Sequence, residues 1–410
     1  MINRRDFLKS QAVLATGLVL SPRQLFAEAA VTGTAGKAPF QELHDGFAVQ
    51  MRRLYNACKV EIDGHQLLRP CDNPAYKGLW HDDFTWPHVG LPELQKGPQM
   101  KDAIAWLSEA MLQLPVVADR IEYDGTAVMS PGGANGRPMS EAMPLHLPAA
   151  WTRLLSHAQA AGIPIPRKKE WARLIERSFS QVPMSFGLVW NDPQRHIVAF
   201  GFQDSIRLTG LVLLTSLVIK RGLERAAELF AEDLPEATIR EWKDKAAAID
   251  SNLHRLFDAK AGGFLGATKA GRAFDVWGNG LAWSCATAEQ KQVIAKTMKD
   301  NQDKIFLKGC TRQVIGPGGW PGTTVGVAYQ NGGYWGTGTG FVLPMLAEID
   351  PAWALSIGRE LLNNLDAIKR AEWLDQKGNP NGAREFLGTL SMPLIGLRAI
   401  IEGKSVLHYL

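Results

Sequence analysis

The carboxylates that could do chemistry in this chain lie in segments rich in glycine and tryptophan, where a side chain can face a cleft while regular elements hold the scaffold. Trp80-His81-Asp82-Asp83-Phe84-Thr85-Trp86-Pro87 packs two indoles, a histidine and two aspartates into one short stretch. Indole faces stack on the C–H faces of a sugar, and carboxylates bond its hydroxyls, so this mixture suits a sugar subsite. A structural turn with buried tryptophans has the same composition. Adjacent aspartates also suit Ca²⁺, although nothing else here resembles a calcium loop. Trp190-Asn191-Asp192, Asp275-Val276-Trp277-Gly278-Asn279 and Gly319-Trp320-Pro321 repeat the pattern in later segments.

Hydrolysis of a bond between sugars needs two carboxyl groups, one protonated to aid departure and one ionised to activate water or attack. Asp204, Glu372, Asp192, Asp82, Asp83 and Asp275 qualify by placement. Asp204 precedes the apolar run from Leu208 to Ile219. Burial there would raise its pKa and favour the acid form. A helix N-terminus would push the other way, and helix capping is the ordinary role of an aspartate in that position. Glu372, in Glu372-Trp373-Leu374-Asp375, is otherwise a solvated loop carboxylate. His81, His88 and His196 fall in candidate cleft segments, where histidine more often fills a core or makes a hydrogen bond than catalyses.

The elements that must position these groups are mainly helical, because apolar residues recur at helical spacing in block after block. The spacing predicts helices over about 41–58, 100–114, 147–162, 168–181, 204–221, 222–231, 236–257, 277–285, 288–300, 338–348, 351–369 and 385–402. Asp350 before Pro351, Pro148, Pro235 and the capping box Thr287-Ala288-Glu289-Gln290 mark starts. The run Leu208 to Ile219 is apolar nearly all round, whereas Ala354, Ile357, Leu361, Leu365 and Ile368 form a stripe. That contrast predicts an inner layer of helices covered by an outer one. About twelve helices in consecutive hairpins close into a ring with one continuous core, so residues 41–410 form a single domain. If helices alternate in direction, every second loop falls on one face, and the long Gly, Pro and Trp segments build one cleft there.

Tyr329-Gln330-Asn331-Gly332-Gly333-Tyr334-Trp335, followed by Glu372-Trp373-Leu374-Asp375 and Gly378, resembles the C-terminal half of six-hairpin glycosidases. That superfamily includes the trehalase, neutral invertase and processing α-glucosidase families. Gly201-Phe202-Gln203-Asp204-Ser205 resembles its acid Asp-Ser segment, and the likeness runs over residues 186–402. The resemblance implies an all-α (α/α)6 toroid, a six-hairpin barrel with its loops forming a cleft on one face. It further implies a glycoside hydrolase with Asp204 as general acid and Glu372 as general base, inverting the anomeric centre. Trp80, His81, Asp82, Asp83, Trp86, Trp190, Asp192, Trp277, Asn331, Tyr334 and Trp335 are the expected carbohydrate-binding residues, with no cofactor and no metal. Sugar epimerases, with histidines such as His81 and His196 as acid and base, and unsaturated-uronide hydrolases share the architecture. A non-catalytic glycan-binding envelope protein is the reading from another class.

Other chemistries lack their motifs. Gly336-x-Gly338-x-Gly340 has neither the spacing nor the preceding strand of a dinucleotide loop, and suits an inner helix starting close to a ligand or neighbour. H-E-x-x-H, a phosphate loop and G-x-S-x-G are all missing. With 45 basic and 41 acidic residues and no basic run outside the N-terminus, nothing points to nucleic acid. Cys58, Cys71, Cys285 and Cys310 form no C-x-x-C pair. Pairing of Cys58 with Cys71 and Cys285 with Cys310 stays open beside four buried thiols.

The chain starts with Asn3-Arg4-Arg5-Asp6-Phe7-Leu8-Lys9, a short apolar run from Ala12 to Leu20, then Ala27-Glu28-Ala29. This order reads as a twin-arginine signal peptide over 1–29, followed by a short linker over 30–40. The apolar run is about half of the roughly 20 residues that span a bilayer. The twin-arginine translocase is therefore an expected export partner, and the mature protein is expected to be periplasmic or secreted without a stable membrane span. Replacing Arg4 and Arg5 together by lysine should trap the uncleaved precursor in the cytoplasm, and N-terminal sequencing of exported wild type should begin at Ala30. Export of the double variant at the wild-type rate would refute this reading.

Overall fold

The computed structural model describes residues 37–128, 143–323 and 326–410; the expected signal peptide and residues 30–36 of the linker lie outside the described residues. Twelve described α-helices exceed one turn. In chain order they are α1 (Ala38–Ala57), α2 (His81–Gly90), α3 (Pro98–Met111), α4 (Leu147–Ala160), α5 (Lys168–Ser180), α6 (Leu213–Leu229), α7 (Glu236–Asn252), α8 (Val276–Ala282), α9 (Ala288–Asp300), α10 (Gly336–Ile349), α11 (Pro351–Asn364) and α12 (Gly388–Glu402). No helix among the described residues is long and apolar enough to cross a membrane.

Odd-numbered helices bury one stripe. In α5 the buried residues are Trp171, Ala172, Leu174, Ile175, Ser178 and Phe179, the spacing of a helix lying on a core. Even-numbered helices are enclosed: every residue of α2 is buried, as is α10 from Gly336 to Leu343. These inner helices touch in order, α2 to α4, α4 to α6, α6 to α8, α8 to α10, α10 to α12, and α12 back to α2. Six helices thus close a ring, with the striped helices outside it.

Glycine sets how tightly the ring closes. A Cβ on Gly340 of α10 would lie 2.0 Å from the Met392 carbonyl oxygen of α12, and one on Gly396 would lie 2.5 Å from the Gly340 carbonyl oxygen. Here two helix backbones touch directly. Gly222 does the same for α6, where a Cβ would come 2.3 Å from that of Ala149 on α4. That glycine therefore serves packing and does not end a helix, so the expected helices 204–221 and 222–231 are one helix, Leu213–Leu229.

Connections differ sharply between the two ends of the ring. From inner to outer helix they are short, down to Asp350 alone between α10 and α11, where its side chain accepts from the Ala352 and Trp353 amides. From outer to inner helix they are long, and they contain every described strand. Two sheets tie different loops together and a third folds one loop on itself. The strand Gly78–Trp80 pairs antiparallel with Arg120–Glu122, placing Trp80 opposite Arg120. Leu188–Asn191 pairs with Gly210–Leu211. A five-stranded antiparallel sheet runs Phe306–Leu307, Cys310–Arg312, Tyr334–Trp335, Trp373–Leu374, Pro380–Asn381, with Tyr334 opposite Leu374.

Two expectations are corrected here. The stretch His81–Gly90, read as loop, is the inner helix α2; its burial on all sides leaves no period to recognise, and Pro87 reads as a breaker. Asp204 does not open a helix, because residues 210–211 are drawn into a strand and Gly210 takes a φ of +86°. All four cysteines are free thiols.

Gly340→Ala should lower unfolding stability by at least about 2 kcal/mol, since neither backbone at this contact can move without opening the ring. Urea denaturation checks it, and a loss under about 0.5 kcal/mol would show that the inner helices separate easily.

Candidate active site

The long connections surround one pocket at the N-terminal ends of the inner helices. Its described lining is Tyr76, Trp80, His81, Asp82, Asp83, Asp119, Pro144, Val198, Gly201, Phe202, Asp204, Tyr329, Gln330, Glu372 and Phe386, enclosing about 190 Å³. Asp204 and Glu372, over a hundred and fifty residues apart in sequence, therefore face the same space.

Glu372 is held from two sides. The Tyr329 hydroxyl donates to Oε1 at 2.9 Å, and the Ala383 amide donates to Oε2 at 2.9 Å. Pairing of Trp373 with Asn381 folds the loop back so that Ala383 can reach it. A Cβ on Gly382, which takes a φ of +70°, would lie 2.4 Å from Oε2, so only glycine lets the backbone wrap this carboxylate. Burial raises the pKa of Glu372, against which the two donors act.

Asp204 is held differently. It ends the 3-10 turn Gly201–Gln203, and the next residue anchors it: Ser205 donates from its amide at 2.7 Å and its hydroxyl at 2.9 Å to Gln330 Oε1. Its own Oδ1 is buried with no hydrogen-bond partner. Burial, with Asp119 and Glu372 nearby, pushes its pKa up to about 7.

Three further carboxyls complete the lining. Asp83 is pushed well above the usual carboxylate range by burial and by Asp82. Burial would raise Asp82 too, but the His81 and Arg153 charges outweigh it and hold it well below that range. Arg153 reaches Asp82 Oδ1 from α4. Burial also raises Asp119. Five carboxyl groups and no lysine or arginine line the described pocket wall.

Of the expected binding residues, Trp80, His81, Asp82 and Asp83 line the pocket, whereas the others lie elsewhere. Trp86 is fully buried and stacks on Phe202 at 5.0 Å between ring centroids. Trp277 is fully buried against Phe341 at 5.4 Å. Both build the ring core under the pocket. Tyr334 and Trp335 are buried in the five-stranded sheet, with Trp335 edge-on to Phe202. Asn331 is a buried loop brace whose Oδ1 accepts from the Trp320 amide. Trp190 is half-buried in its strand, and exposed Asp192 accepts from the Gln194 amide in a local turn. Asp275 caps α8, with Oδ1 accepting from Gly278 at 2.8 Å. His88 is core, bonded to Phe84 and Tyr55, and His196 is not part of the lining. Tyr76, Asp119 and Phe386 join the site without any sequence signal beyond their type, because tertiary pairing brings them there.

No protein-family model matches the sequence, and no curated protein sequence does. Solved structures do. The GH63 mannosylglycerate hydrolase from Thermus thermophilus, in complex with glucose, is 13% identical over 86% of this chain and 99% of its own, with a TM-score of 0.53. A bacterial glucoamylase complexed with acarbose is 11% identical, over 89% of this chain and 56% of its own, at 0.58. A wild-type glycosidase is 14% identical, over 90% and 98%, at 0.55. The chain shares with these structures the fold of an (α/α)6 toroid. Within that toroid the pocket sits at the end where the long loops gather, as alternating helix directions require.

Tyr329→Phe removes a donor to the ionised form of Glu372, so it should raise that pKa further. Carboxyl ¹³C NMR titration reads it, and an unchanged or lowered value would show that the contact does not stabilise the carboxylate.

Proposed function

We propose that this chain is an exported glycoside hydrolase that removes a terminal sugar from an oligosaccharide or glycan fragment, with inversion. The observation that carries this reading is the pair Asp204 and Glu372, facing one pocket from opposite environments. Asp204, with an unpartnered oxygen and a pKa near 7, keeps its proton below neutral pH and can give it to the departing oxygen. Glu372, gripped by two donors, is oriented to take a proton from the attacking water. Trp80, on the pocket wall beside Tyr76, offers an aromatic face to the ring.

The toroid neighbours support a carbohydrate substrate, since two of them hold glucose and acarbose. A cavity of about 190 Å³ is smaller than the roughly 300–1,000 Å³ that takes a drug-sized ligand. It fits one sugar ring, which favours attack at a chain end. A described wall with five carboxyls and no lysine or arginine favours a neutral or cationic sugar over a uronide.

Release of a single sugar from an oligosaccharide panel, followed by NMR of the first-formed anomer, tests the reading. Asp204→Asn and Glu372→Gln should each lose at least about 10²-fold in kcat while keeping the wild-type circular dichroism. The pH dependence has a definite sign. Activity needs Glu372 ionised and Asp204 protonated, so kcat/KM should fall on the basic side near pH 7 and on the acidic side above the ordinary carboxylate range. With a glycosyl fluoride, whose departure needs no acid, Asp204→Asn should regain rate and lose the basic limb. Retention of configuration, or full activity in Glu372→Gln, would overturn the assignment.

A further inference from the structure

Three buried groups, His81 and Asp82 in the pocket lining and His146 behind it, take no part in the proposed proton transfers. His81 opens α2, Asp82 follows it, and His146 lies immediately before α4. The His81 Nδ1 sits 3.0 Å from the Asp119 carbonyl oxygen, which can only accept, so Nδ1 carries a proton in either charge state of the ring. Its Nε2 faces Asp82 Oδ2, 3.2 Å away. His146 is fully buried with neither ring nitrogen partnered, and its Nε2 lies 3.7 Å from the same oxygen. One ligand atom from each residue lies within 4.8 Å of the others.

With neutral rings that present their Nε2 lone pairs, these three donors repel one another unless positive charge stands among them. A proton on His81 alone makes an ion pair with Asp82 and leaves His146 without a partner, whereas protonating both imidazoles would place three cations on one carboxylate, because Arg153 already occupies Asp82 Oδ1. A metal ion resolves the conflict with neutral rings. Two imidazoles and a carboxylate are a donor set for a divalent first-row ion. The bond from His81 Nδ1 to a backbone carbonyl is the usual outer partner of such a ligand. Gly201, in the pocket lining, leaves space beside two of these atoms: a Cβ there would lie 3.4 Å from His146 Nε2 and 3.7 Å from Asp82 Oδ2. The surplus of carboxyls in the pocket further favours a cation.

We propose that His81, Asp82 and His146 bind one divalent first-row transition-metal ion through the two Nε2 atoms and Oδ2, at the floor of the pocket. Its free coordination positions face the cavity, where water or a sugar hydroxyl would reach them. Arg153 acts as a competing cation on the other carboxylate oxygen and tempers affinity.

The test uses chelator-treated mature protein titrated with Co²⁺ and Zn²⁺, reading the Co²⁺ visible bands, metal content by mass spectrometry and the shift of Tm with Zn²⁺. Wild type should bind one equivalent and melt higher with Zn²⁺. His146→Ala and Asp82→Asn should each weaken binding by more than the roughly 10–100-fold that losing an outer partner costs. Arg153→Met should tighten binding, which no purely structural role for that arginine predicts. His146→Gln keeps the volume if the alanine variant fails to fold. No stoichiometric binding by wild type, or equal binding by the ligand variants, overturns the proposal and leaves the cluster as a protonated ion pair. None of these readouts depends on sugar cleavage.

Discussion

The direct contact between the α10 and α12 backbones at Gly340, Met392 and Gly396 is the constraint on which the remaining architecture depends. Helices that approach this closely leave little side-chain space at the contact, and neighbouring inner helices repeat the arrangement at Gly222 and Gly280. At these contacts backbone and small side chains fill the ring. Chemistry is displaced to one rim, and the long outer-to-inner connections define which rim that is. All six inner helices start there, so their N-terminal dipoles point toward the pocket. This is a physical reason for the pocket to collect carboxyl groups, with Asp82 and Asp83 in the first turn of α2.

Collecting carboxyls in a closed space forces them to differ. Desolvation and mutual repulsion push protons onto most of them, while specific donors keep others ionised. Asp82 is kept charged by Arg153 and His81, and Asp83 beside it is driven toward the acid form. The same logic separates Asp204, with one oxygen buried and unpartnered, from Glu372, with a donor on each oxygen. Two carboxyls of similar intrinsic acidity thereby acquire the different surroundings on which the proposed acid and base roles rest.

What the sequence reveals follows from which interactions are local. The striped outer helices are legible because their burial is periodic, and their starts because capping is a matter of adjacent residues, as at Asp350 and Thr287. The segment Gly201–Ser205 and the loops around Tyr329 and Glu372 are legible as chemistry because glycines and aromatics flank a polar group. The helix α2 is not, since a helix buried on all faces carries no period, and His-Asp-Asp looks like loop. Tryptophan type does not reveal direction: Trp80 faces the pocket, while Trp86, further along α2, and Trp277 support the ring from within. His146, Arg153 and Asp119 join the site only through strand pairing and helix contacts distant in sequence.

The dipeptide Tyr329-Gln330 links the two proposed catalytic groups. The tyrosine hydroxyl holds Glu372, and the glutamine side chain holds Ser205, the neighbour of Asp204. One dipeptide thus touches Glu372 directly and Asp204 through its neighbour. Tyr329 adopts a φ of +49°, sparsely populated for a tyrosine, which persists only where surrounding contacts fix it. Those contacts come from the glycines that follow. At Gly333 a Cβ would lie 2.4 Å from the Tyr329 carbonyl oxygen and 2.8 Å from the Trp373 ring, so the loop folds tightly upon itself and upon the strand after Glu372. The Asn-Gly-Gly-aromatic segment thus has a mechanical role: Asn331 braces Trp320, Gly332 and Gly333 allow the tight fold, and Tyr334 pairs with Leu374 to bring the Glu372 loop alongside.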